Sequence, residues 1–347
     1  MHWLDEDQVL VGPGVLARAG NVLERVSAVR AMVVTDGGLA ASPVLSMLLD
    51  AVAGRAHVTV FDGVRPNPTV DVIDRAGHQA AEASIDAVIA LGGGSSMDAA
   101  KGIALVAANP TMSAREFDYS APPPHAALPI LAVPTTAGTG SETNSWGVID
   151  DPVSRSKIYI GDSSTVPFAS LLDPLVTVGL PTRPSAATGF DALTHGIESL
   201  TSIGASDAGR AMSREAITQV SRYLPAAVLD GSDIQARTGM LIGAHVAGKA
   251  LTQSGLGLAH GIAHAISAHT GAAHGEALAA CLPEVIEFNM PVSANYYREV
   301  GQCMADGGWA AGADVPASVA QFAEEIGARR SFGDLGLHPD MVASVAL

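Results

Sequence analysis

Cysteine is nearly absent from this 347-residue chain: only Cys281 and Cys303 occur. Two cysteines are too few for a disulfide framework, and the chain fits a reducing, cytoplasmic compartment. Basic residues are also scarce. Nineteen Lys and Arg stand against 35 Asp and Glu, for a net charge of -16. Nucleic-acid phosphates need a basic surface, so that class of partner is excluded. No run of eighteen apolar residues free of charge and punctuation exists, and no membrane span is expected. The opening Met1-His2-Trp3-Leu4-Asp5-Glu6 lacks a basic stretch followed by an apolar one, so no signal peptide is read there. No internal repeat is found.

What is present is a large apolar fraction, 48% of residues. The length suggests two domains. In the first half, apolar runs at Ala31–Thr35, Val58–Phe61, Ala87–Leu91 and Pro129–Val133 read as buried strands. Helical patterns lie between them, near 39–53, 70–84 and 95–108. This alternation predicts an α/β fold, with a parallel sheet covered by helices on both faces. From about Pro181 strand signals stop. Ala-rich amphipathic stretches broken at Gly231, Gly255 and Gly271 predict an all-helical C-terminal domain. The expected division is 1–180 and 181–347, with Pro181 and Pro184 at the boundary. Ala121-Pro122-Pro123-Pro124 reads as a surface loop.

Three loops follow predicted strands. Gly92-Gly93-Gly94-Ser95-Ser96-Met97-Asp98 opens a helix, a setting in which glycines admit a ligand and the helix N-terminus favours phosphate. A plain tight turn is the alternative, and Ser95 with Asp98 also fits a capping box. It is neither the Walker pattern nor GxGxxG. Pro134-Thr135-Thr136-Ala137-Gly138-Thr139-Gly140-Ser141-Glu142 offers hydroxyls and amides to a pyrophosphate or ribose, or is an ordinary polar turn. Asp36 ends the first strand. There it can take adenosine ribose hydroxyls and repel a 2′-phosphate, or simply cap a helix.

The stretch from Gly189 to Gly275 concentrates metal-binding chemistry. Asp191 and His195 are four apart and share a helix face, as do His260 and His264. Four of the eleven His, at 260, 264, 269 and 274, fall within fifteen residues of otherwise apolar sequence. A single His in such a place is more often packed or at the surface. Several of them with a carboxylate, in apolar surroundings, point to a divalent cation that takes N and O ligands.

Four motifs, GGGSSMDAAK (92–101), PTTAGTGSE (134–142), GFDALTHGIES (189–199) and GLAHGIAHAISAHTGAAHG (257–275), resemble those of the iron-containing (group III) alcohol dehydrogenases. The likeness runs over nearly the whole chain. It implies an N-terminal dinucleotide-binding domain, a C-terminal helical domain and a metal in the cleft between them. By motif, the implied metal ligands are Asp191, His195, His260 and His274, with His264 close to nicotinamide and substrate, as a proton relay or as a wall of the pocket. His269 matches no ligand. Gly93, Gly94 and Ser95 would hold the pyrophosphate of NAD. Thr135, Thr136 and Thr139 would line the cofactor, with Asp36 and Asn67 at the adenosine end and Lys157 within reach. Thr143-Asn144-Ser145-Trp146 departs from the family's usual Val-Thr and is expected at the substrate pocket. The implied reaction is reversible hydride transfer between NAD and a small alcohol or aldehyde, assisted by ferrous iron or zinc as Lewis acid. A homodimer is the expected assembly. One rival is a lyase like dehydroquinate synthase, which would need many basic groups around an anionic substrate. The other is a metal- or nucleotide-binding protein without turnover.

Overall fold

The computed structural model describes residues 4–5, 7–119, 122–154, 156–310 and 312–341. The opening stretch read for a signal peptide lies partly outside them, as does Ala121 of the expected loop. Pro122, Pro123 and Pro124 lie in neither helix nor strand. The chain divides into two compact units. The first comprises Met1–Thr136 and Ser141–Thr177, the second Ala137–Gly140 and Val178–Leu347.

In the first unit the elements run β1 (Val9–Val11), α1 (Ala19–Glu24), β2 (Arg30–Asp36), α2 (Gly37–Ala40), α3 (Pro43–Val52), β3 (His57–Val64), α4 (Val70–Glu82), β4 (Ala87–Gly92) and α5 (Gly94–Ala108). They continue with β5 (Ile130–Pro134), β6 (Gly147–Asp151), β7 (Ser156–Ile160) and β8 (Ala169–Leu172). Six strands form a parallel sheet in the order β1-β8-β5-β4-β2-β3. All residues of β4 and β5 are buried, which is why they read as unbroken apolar runs. Side chains alternate between two cores. Met32, Val34, Val88 and Ala90 enter one, with Ile73 and Ile103 from α4 and α5. Ala31, Val33, Ala87 and Ile89 enter the other, with Leu23 and Leu48 from α1 and α3.

All four predicted strands form. The sequence reading missed β1 and β8, which are three and four residues long and leave no pattern to detect. It also missed the antiparallel pair β6–β7. The strand order reverses direction between β2 and β4. The C-terminal ends flanking such a switch point form a crevice that suits a dinucleotide. Asp36 and Gly92 are the last residues of those two strands.

The second unit contains α6 (Thr182–Thr201), α7 (Asp207–Leu229), α8 (Ile234–Ser254), α9 (Leu258–Thr270), α10 (His274–Asp306) and α11 (Val315–Glu325). No strand occurs among its described residues. Pro181 caps α6, and Gly255 and Gly271, both at positive φ, end α8 and α9. From Phe190 to Leu200 every residue of α6 is buried, so α6 is the central helix and its polar groups must find partners inside the protein. No helix among the described residues is long and apolar enough to cross a membrane.

Candidate functional site

Asp191, His195 and Glu198 stand at i, i+4 and i+7 on α6 and share one face. All three are buried. His260 lies in the first turn of α9, and His274 is the first residue of α10. Three imidazoles converge on one carboxylate oxygen. Asp191 Oδ1 is 3.4 Å from His260 Nε2, 3.5 Å from His195 Nε2 and 3.8 Å from His274 Nε2. The rings of His195 and His260 stack with centroids 4.6 Å apart.

These buried polar atoms are not satisfied. Asp191 Oδ1, His195 Nδ1 and His260 Nε2 have no hydrogen-bond partner. Each such atom costs about 1–3 kcal/mol when left unpaired. Ligand atoms of Asp191, His195 and His260 lie within 4.8 Å of one another. Ligands about 2.1 Å from a tetrahedral ion stand about 3.4 Å from each other, which matches the two shortest separations. The donor set is a carboxylate with imidazoles and no thiolate, which suits ferrous iron or zinc. The residues therefore fit a divalent metal.

The electrostatics agree. Burial pushes the Asp191 carboxyl up, but His195, His274 and His260 outweigh it and the net shift is downward. Burial pushes His260 down, yet the Asp191 and Glu198 carboxylates beside it raise it to about 9. Burial lowers His195 and carries His274 down to about 3. The two buried carboxylates, Asp191 and Glu198, draw positive charge to His260, and a divalent cation would supply that charge in place of its proton.

His264 is half-buried, with its ring 4.7 Å from that of His274 and 6.4 Å from that of His260. It stands beside the cluster. His269 is exposed and bonds Ala265 O within its own helix, an ordinary structural role. Glu198 went unused in the sequence reading although it sits in the quoted GFDALTHGIES motif. Its signal was the i+7 spacing from Asp191.

In the first unit, Gly93 is the N-cap of α5 and no side chain caps this helix. The capping box read for Ser95 and Asp98 does not form. The helix starts at Gly94, so Ser95 lies inside it, and the Asp98 carboxylate instead accepts from Ser141 Oγ and Val148 N. Gly92 has φ +150, and a Cβ there would stand 2.3 Å from Ser96 Oγ, so only glycine serves. Thr135 N bonds Gly92 O, and Thr136 lies beside Gly93, which brings the two small-residue loops together. Thr139 falls in the second unit. Asp36 Oδ1 accepts from Gly38 N and Leu39 N and caps α2. Asn67, at φ +55, lines a cavity of about 720 Å³ with Gly37, Arg65, Thr69 and Arg75. Lys157 Nζ donates to Asn67 Oδ1 at 3.0 Å, so these two predicted cofactor residues meet. Asn144 and Ser145 are buried, and their bonds run to Lys101 and Tyr119.

Residues 7–174 match the family described as iron-containing alcohol dehydrogenase, and residues 185–347 match the C-terminal part of the same family. The chain belongs to the iron-containing alcohol dehydrogenases. It is 36% identical to the probable alcohol dehydrogenase EutG of Salmonella typhimurium over 338 residues, 95% of this chain and 84% of that protein. It is 32% identical to the NAD-dependent methanol dehydrogenase of Bacillus methanolicus, over 86% of this chain and 78% of that one. The crystal structure of sulfoacetaldehyde reductase from Bifidobacterium kashiwanohense in complex with NAD+ superposes with a TM-score of 0.89 at 26% identity, over 99% and 90% of the two chains. Membership in the iron-containing alcohol dehydrogenases makes this chain an oxidoreductase of alcohols and aldehydes, as its motifs implied.

Proposed function

We propose that this chain interconverts a small alcohol and its aldehyde with NAD, using a divalent metal held by Asp191, His195, His260 and His274. The observation that carries the reading is the convergence of three imidazole nitrogens on the buried, unpaired Asp191 Oδ1. When bound, ferrous iron or zinc would supply Lewis acidity to the substrate oxygen, and nicotinamide would supply the hydride acceptor or donor. Asp191 would contribute the anionic donor, and the imidazoles would bring nitrogen donors from α6, α9 and α10. The half-buried His264 ring, next to His274, would hold the hydroxyl proton and pass it to solvent.

On the nucleotide side, Gly93, Gly94 and Ser95 would present the amides of the α5 N-terminus to the pyrophosphate. Thr135, Thr136 and Thr139 would line the cofactor. Asp36 spends Oδ1 on the α2 cap, which leaves Oδ2 for ribose hydroxyls and a charge that disfavours NADP. Asn67 and Lys157 would close the adenosine end. A reducing, cytoplasmic setting belongs to the same proposal, supported by Cys281 and Cys303 as buried free thiols. Homodimeric assembly rests on the family likeness alone.

The test is NADH oxidation against an aldehyde panel, with protein stripped of metal and reloaded anaerobically with ferrous iron or with zinc. Metal-dependent consumption of NADH is the expected result. NAD binding without turnover under either metal would move the reading to a lyase or to a non-catalytic binding protein.

A further inference from the structure

His260 is held from behind. Glu198 Oε2 lies 2.5 Å from His260 Nδ1 and also accepts from Gly257 N at 3.0 Å, while Oε1 accepts from Ala259 N at 2.7 Å. Gly257 is the N-cap of α9 and has no side chain to cap it. The Glu198 carboxylate, 5% exposed, takes that place from α6. The contact leaves no room at 257, where a Cβ would stand 2.6 Å from Glu198 Oε1.

A carboxylate only accepts hydrogen bonds, so the imidazole nitrogen facing it must carry hydrogen. Nδ1–H then points at Glu198, and a cation seated against Asp191 would meet the lone pair of Nε2. Asp191, His195 and Glu198 lie along one face of α6. One helix thus supplies two ligand-bearing side chains and also sets the angle of a third that comes from α9.

We infer that Glu198 is a positioning residue for the metal centre: it fixes the tautomer and ring orientation of His260 and ties the start of α9 to α6. This rests on the metal assignment proposed above. Partners of this kind are typically worth about 10- to 100-fold in metal affinity.

The test is chelator competition for zinc and ferrous iron on the full-length protein, comparing wild type with Glu198→Gln and Gly257→Ala. In Glu198→Gln an amide N–H can face Nδ1 and drive the proton to Nε2, where it opposes ligation. Weaker metal binding by about 10- to 100-fold is expected for Glu198→Gln, with a smaller loss for Gly257→Ala. A role in helix capping alone would lower the unfolding midpoint and leave the affinity of the folded protein unchanged, and that result overturns the proposal. A second measurement needs no variant. In zinc-loaded wild type with labelled histidine, a slowly exchanging Nδ1–H on His260 with a metal shift on Nε2 is expected, and ligation through Nδ1 overturns the proposal. Wild type that takes up neither metal overturns the metal assignment itself, and this inference with it.

Discussion

Two buried polar clusters invite comparison, one in each unit. In the first, Lys101 is 1% exposed, and its Nζ donates to Ser141 Oγ at 2.9 Å, Asn144 Oδ1 at 2.8 Å and Trp146 O at 2.6 Å. An ammonium has three protons, and all three are used. Ser141 Oγ passes a bond on to Asp98 Oδ1 at 2.6 Å. Burial pushes Lys101 down to about 8 and Asp98 up, while each charge still favours the other. In the second cluster, Asp191, His195 and His260 are equally buried, yet each leaves an atom without a partner. Polar burial alone therefore does not mark a site. A cluster that closes on itself is structure, whereas one whose open valences converge calls for something to fill them.

That contrast can be broken by mutation. The largest effect is expected from His260→Ala and His274→Ala. Both should lose metal and at least about a thousandfold in activity, on the order of 4 kcal/mol, checked by metal content and turnover of the same preparations. Metal retained in either variant would remove that residue from the ligand set. His264→Ala should keep its metal and lose roughly 100-fold in kcat, which separates a neighbour of the cluster from a member. Lys101→Met should do the opposite. Stability should fall by about 3 kcal/mol because half-buried Asp98 loses its cation and the three acceptors around Nζ lose their donor, while metal per folded chain stays the same. Denaturant unfolding beside metal analysis reads both quantities, and metal loss here would mean the two clusters do not differ in kind. The smallest effect belongs to Asp36→Gly. Glycine replaces a helix cap at only a few tenths of a kcal/mol, so the change isolates the charge. NAD preference over NADP should fall by roughly tenfold. An unchanged ratio would return Asp36 to capping alone.

Much of this architecture was open to a reader of the chain. β2, β4 and β5 announce themselves because a central parallel strand is apolar on both faces. The ends of α8 and α9 were visible in Gly255 and Gly271. The strands β1 and β8 were not, because so short a strand is made by its neighbours rather than by its own pattern. Ser95 and Asp98 show how a local rule fails. Their spacing suits a capping box, but a buried lysine one turn on claims the carboxylate's surroundings. Asn144, expected at the substrate pocket, accepts from Lys101, a contact that no local pattern announced.

What the sequence determined by itself is whatever depends on neighbours along the chain. Helical periodicity puts Asp191 and His195 on one face, and a strand running into three glycines makes an open helix N-terminus. Only the tertiary structure decided which histidines meet Asp191, and that Glu198 stands behind His260. Those contacts join α6 to α9 and α10 across long stretches of chain, so they are set by how helices pack and not by any local spacing. The same holds for the difference between the two clusters, since whether a buried atom finds a partner is a property of the folded interior alone.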